Sequence, residues 1–175
     1  TCYYLLNSFF KLDYQFELFF STEKFSWFLN SCYNPNSGGF TINPEESTEN
    51  LYANWMIVYS IKNLDLLQNY NLSNNQKFCL KNINYNDVQT IFSTISTLYL
   101  LNETIEQFFN LEDLIFLIEA NYLYSEDVFE KYFSVLILEI LDQYPKNFNR
   151  TNYIEGLKSG LIQEFNGYNN IKKRF

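Results

Sequence analysis

Histidine is absent from this 175-residue chain, so no metal-binding His spacing can occur within it. Cysteine is scarce. Cys2, Cys32 and Cys79 make an odd count with no C-x-x-C spacing, which fits a reducing, cytoplasmic setting better than a disulfide scaffold. Basic residues are few: 12 Lys and Arg stand against 20 Asp and Glu, a net charge of −8. That balance argues against binding a nucleic-acid backbone or an anionic membrane surface. The dense basic run Ile171-Lys172-Lys173-Arg174-Phe175 reads as a solvated tail. No run of about 18 apolar residues exists, so no membrane span is expected. Neither a basic n-region nor a small-residue cleavage site follows Thr1, so no signal peptide is read there. Sequons at Asn71, Asn102 and Asn149 are roughly as many as chance supplies in so Asn-rich a chain. They leave the ER lumen as an alternative compartment.

Glycine and proline are rare too, at 5 and 3. Two of the glycines, Gly38 and Gly39, nevertheless stand side by side between Pro35 and Pro44. Glycine is worth having where the backbone takes φ > 0 or passes close to another group. One of the pair is therefore expected to hold a positive φ in a specific turn.

What the chain has in quantity is apolar and aromatic surface, 47% and 20% of residues, enough for a packed core. Apolar residues recur at i, i+3, i+4 and i+7, which predicts helices over 2–12, 22–32, 49–68, 75–82, 86–101, 111–122, 126–143 and 151–165. Ser21, Asn110 and Ser125 are the expected N-caps of three of them. The fold class is all-α. Three segments, starting at Thr48, Asn86 and Ser125, share a polar start, an apolar stripe and a Leu-rich end. Their spacing of about 40 residues is the mark of helical hairpin repeats. The whole chain, 1–175, is read as a single helical-repeat domain, a partial α/α toroid or a helical-repeat array, which can belong to a longer chain.

One stretch is more specific. A helix ending in Cys32 is followed by Gly38-Gly39-Phe40, Pro44, a polar loop to Asn50 and an aromatic-rich helix from Leu51. Over about residues 1–68 this resembles a repeat of the protein prenyltransferase β subunits, most closely the Rab geranylgeranyltransferase type. Cys2 and Tyr3 match the family's Asp-x-Cys-Tyr helix. The resemblance implies an α/α toroid, with the Gly38-Gly39-Phe40 turn joining an outer to an inner helix. It also implies an aromatic-lined isoprenoid pocket at Tyr3, Tyr52 and Trp55, and a zinc ion that activates a protein thiol, with Cys2 as one ligand.

The sequence departs from that pattern at the metal. The zinc-binding His position is Tyr52, the Asp position would precede Thr1, and only Cys2 remains of three ligands. Leu5 and Leu6 replace the family's paired tryptophans. No zinc is therefore expected on this chain alone, unless a longer parent chain completes the site. Tyr52 is expected to lie near Cys2. Glu45-Glu46 and Glu126-Asp127 read as solvated or capping carboxylates, and Tyr3, Tyr52, Trp55 and Tyr59 equally as core aromatics. No phosphate loop or nucleophile elbow is present. The function read from the sequence is a divergent or partial prenyltransferase β-like chain, inactive alone. The alternative is a non-catalytic helical-repeat scaffold subunit of a larger assembly. Either way the expected partners are protein subunits.

Overall fold

The computed structural model describes residues 21–143 and 151, Thr22 by its backbone only. The helices expected over 2–12 and 151–165 lie outside them, apart from Thr151, which is helical. Among the described residues the fold is all-α, and the only pairing outside helices is an isolated bridge between Tyr33 and Phe40. The helices are α1 (Thr22–Cys32), α2 (Leu51–Asn63), α3 (Leu72–Asn82), α4 (Val88–Leu100), α5 (Leu111–Tyr124) and α6 (Val128–Ile140). Single 3-10 turns follow α2 at Leu67–Asn69 and α4 at Ile105–Gln107. Two compact units divide the chain, one up to Phe109 and one from Asn110.

Each of the six helices starts on a side chain that accepts a hydrogen bond from its first turn: Ser21, Asn50, Asn71, Asp87, Asn110 and Asp127. Such a cap satisfies an orphan N–H and is worth about 1 kcal/mol. The cap expected at Ser125 falls instead on Asp127. Its carboxylate accepts from both Phe129 and Glu130, and a charge at the positive end of a helix suits it better than a hydroxyl. Ser125 supports it, accepting from the Asp127 N–H and donating to Glu130.

The second helix of every pair ends identically. Asp65, Asn102 and Asp142 take φ of 56°, 60° and 53°, one residue past the caps Leu64, Leu101 and Leu141. The residue after each donates five back: Leu66 to Ile61 at 2.8 Å, Glu103 to Leu98 at 3.0 Å, Gln143 to Leu138 at 2.8 Å. The αL residue itself donates three back, to Lys62, Tyr99 and Glu139. This is the Schellman arrangement, built on the residue types that tolerate αL best after glycine. It also explains why the helix expected over 49–68 stops at Asn63: the apolar period runs on through Leu66 and Leu67, but Asp65 turns the backbone out of it.

In the first unit, α2 and α4 run parallel in nearly the same register. The Trp55 and Phe92 rings meet at 4.9 Å near their starts, and Lys62 Nζ donates to the Leu100 carbonyl at 2.6 Å at their ends. Nine of the thirteen residues of α4 are buried, among them Ser93, Thr94, Ser96 and Thr97. Its buried hydroxyls are tolerated in part by bonding back along the helix, Ser93 to the Gln89 carbonyl and Thr97 to the Ser93 carbonyl. Phe25, Leu29, Cys32, Phe40, Ile57, Val58 and Ile61 form a core between α1, the glycine turn and α2. In the second unit, α5 and α6 pack together across a three-residue connection as an antiparallel hairpin. Leu114 and Ile118 are buried on α5, Ile137 and Leu138 on α6.

Candidate functional site

The loop after Cys32 folds back on itself. Gly38 donates to the Asn34 carbonyl at 2.8 Å, Asn34 to the Gly39 carbonyl at 3.0 Å, and Thr41 to the Cys32 carbonyl at 3.0 Å. Glu49 ties the loop from behind, accepting from Ser37 Oγ and Asn34 Nδ2. Its own backbone N–H, with those two donors, holds the Glu49 carboxyl below its ordinary value against the opposing effect of burial.

Of the two glycines, Gly38 takes the positive φ, 83°. A Cβ there would stand 2.3 Å from the Asn74 carbonyl carbon and 2.5 Å from the Asn75 nitrogen. At Gly39 a Cβ would come within 2.7 Å of the Phe78 ring. The pair therefore does more than return the chain from α1 to α2. It lets the loop lie flat against the backbone of α3, a helix further along the chain.

That close approach opens onto a buried polar network. Asn75, 1% exposed, donates to the Gly38 carbonyl and to Asn54 Oδ1, both at 2.7 Å. Asn54, fully buried on α2, donates back to Asn75 Oδ1 and to Cys79 Sγ at 3.2 Å. The Cys79 thiol is pushed up to about 12 by burial, with its hydrogen bond to the Thr97 side chain opposing. Within the network the Cys79 side chain is buried and accepts from the Asn54 amide. The network's chemistry is that of a fastener: it joins the glycine loop, α2, α3 and α4 through paired donors and acceptors.

The sequence reading did not single out this network. Its signal was there in Asn54, a polar residue inside the apolar run of Leu51–Ile61, and in Asn75 and Cys79, four apart on one face of α3.

The aromatic residues named from the sequence fall on a neighbouring face. Tyr52, half-buried in the first turn of α2, meets Trp55 at 5.4 Å, and Trp55 meets Phe92 at 4.9 Å. Tyr59 is also half-buried on α2. Phe40 is buried among Tyr33 and Tyr70, at 5.0 and 5.5 Å. Burial, with Cys32 and Tyr33 nearby, pushes the Tyr70 phenol up to about 12. Cys2 and Tyr3, and with them the expected approach of Cys2 to Tyr52, lie outside the described residues. Among the described residues, no group of three His, Cys, Asp or Glu side chains converges as a metal site, and no helix is long and apolar enough to cross a membrane. Tyr52, at the position where the resemblance would place a zinc-binding His, packs its ring against Trp55.

The class these features define over the described residues is an all-α arrangement of helical hairpins, the first of them closed by a glycine-dependent loop. Comparison with protein-family models, with curated proteins and with solved structures returns no match.

Proposed function

We propose that this chain is a non-catalytic helical-repeat subunit that holds protein partners in a larger assembly. The observation that carries this reading is the αL cap repeated at Asp65, Asn102 and Asp142. Three helices ended in the same way, 37 and 40 residues apart, are equivalent members of successive pairs. Stacked helix pairs offer extended binding surfaces more readily than one enclosed centre. The test is native mass measurement of the protein purified gently from its own cells. A stoichiometric complex with another protein is expected, and a monomer there would refute the reading.

A second reading, the prenyltransferase β-like chain, draws support from the Tyr52–Trp55–Phe92 aromatic row on two parallel helices. Such a row can take an isoprenoid tail. Because the His position is Tyr52, transfer would need metal ligands from outside this chain. Quenching of tryptophan fluorescence by geranylgeranyl diphosphate, lost in Trp55→Phe, is the outcome expected of this reading. Unchanged fluorescence at saturating lipid would dismiss it.

A further inference from the structure

The outer face of α5 exposes large apolar side chains among its carboxylates. Phe116 is 75% exposed, Leu123 58% and Tyr124 82%, although Leu114 and Ile118 of the same helix are buried. On a helix of 3.6 residues per turn, Phe116 and Leu123 are stacked two turns apart, about 180° from the Leu114–Ile118 side. Scattered exposed hydrophobes are ordinary, but a row along one helix face marks a contact surface.

The charge around the row says what would cover it. Residues 110–143 carry eight carboxylates and one lysine, a net of −7 out of the chain's −8. Glu112 and Asp113 are exposed on the same side of α5, and Glu119 lies between Phe116 and Leu123. An acidic surface bearing aromatic anchors complements a helix with one apolar face and flanking Lys or Arg. Resting on the scaffold reading above, we infer that the outer face of α5 docks a basic amphipathic helix of a partner protein. Phe116 and Leu123 anchor its apolar stripe, and Glu112, Asp113 and Glu119 pair with its basic flanks. The carboxylates set the encounter rate and partner choice, while the two apolar side chains supply most of the affinity.

The experiment titrates the full chain with a labelled Leu/Lys amphipathic peptide of about 18 residues, long enough to form a helix on binding. A counterpart with Glu in place of Lys serves as control. The Lys peptide is expected to bind, to weaken about tenfold in Phe116→Ser/Leu123→Ser, and to weaken as salt rises past about 0.5 M. Glu112→Gln/Glu119→Gln should slow association and leave the anchors' contribution in place. All four positions lie on the outer side of α5, so circular dichroism should be unchanged. Equal binding of the Lys and Glu peptides, or undiminished binding to the Phe116→Ser/Leu123→Ser variant, would overturn the inference. So would a chain dimer in light scattering that dissociates in Phe116→Ser, which would assign the face to a second copy. A marked rise in peptide affinity on deleting 171–175 would assign it to the chain's own basic end and overturn it equally. A native complex that survives Phe116→Ser/Leu123→Ser would overturn this inference and leave the scaffold reading standing.

Discussion

Asn75 Nδ2 lies 2.7 Å from the carbonyl oxygen of Gly38, joining residues 37 apart in the chain through a fully buried contact. Removing that amide strands the Gly38 carbonyl and one side of Asn54 at once. Asn75→Ala should therefore destabilise by about 2–3 kcal/mol, the cost of unsatisfied buried polar groups. In a double-mutant cycle with Asn54→Ala the losses should be strongly non-additive, because the two amides share one network. Urea midpoints of the four proteins decide it, and simple additivity would rule out the shared network.

The two glycines should differ. Gly38→Ala meets both a positive φ and immovable backbone of α3, whereas Gly39→Ala meets the Phe78 ring, which can shift. The expected cost is about 2 kcal/mol or more at Gly38, and less at Gly39. Equal denaturation midpoints for the two variants would contradict this ranking.

Lys62 closes the C-terminal end of α4 from α2, reaching the Leu100 carbonyl and, at 3.4 Å, Asn102 Oδ1. Lys62→Met keeps the side chain's apolar stem and loses the cap, for an expected loss of about 1 kcal/mol. The difference from the parent protein should narrow as salt is raised, measured by thermal melts at two ionic strengths.

Alkaline pH should loosen the first unit. The Cys79 thiol titrates near 9 when unfolded and near 12 when folded, so between these values the unfolded chain gives up a proton that the folded one keeps. Stability should fall as pH rises through that window, by up to about 1.4 kcal/mol per pH unit. Tyr70, pushed from 10 to about 12, adds to the slope above pH 10. Cys79→Ala should flatten the fall between pH 9 and 10. An unchanged slope there would show that the thiol is reached by solvent. Glu49 acts at the other end with the opposite sign: its stabilisation is present above about 4.5 and is lost as pH falls through its lowered folded value.

Helix existence was legible from sequence because burial on one face imposes the 3.6-residue period, and at Ser21 and Asn110 the cap chemistry could be read as well. The end of α2 was harder. Period alone carried the helix through Leu66 and Leu67, and only the backbone geometry at Asp65 reveals the stop. The need for a special turn at Gly38-Gly39 could be read from glycine scarcity, but its steric partner, α3, could not. Close approach across 36 residues leaves no local trace in a chain. Asn54 was hidden for a related reason: a buried amide looks like a flaw in an apolar stripe until its partner Asn75 is seen facing it.

Three of the bonds that tie the first helical pair to the second, Asn75 to Gly38, Asn74 to Pro35 and Lys62 to Leu100, span 37 to 39 residues, and those from Asn54 to Asn75 and Cys79 span only 21 and 25. Assembly of the first unit therefore demands no distant encounter between chain ends. Within that unit the second hairpin finds its docking surface on the first, so loop closure costs little entropy there. During synthesis α1 and α2 can pack while later residues are still being added. The contacts of α3 then close over the glycine loop, which lies against the Asn74–Asn75 backbone and the Phe78 ring.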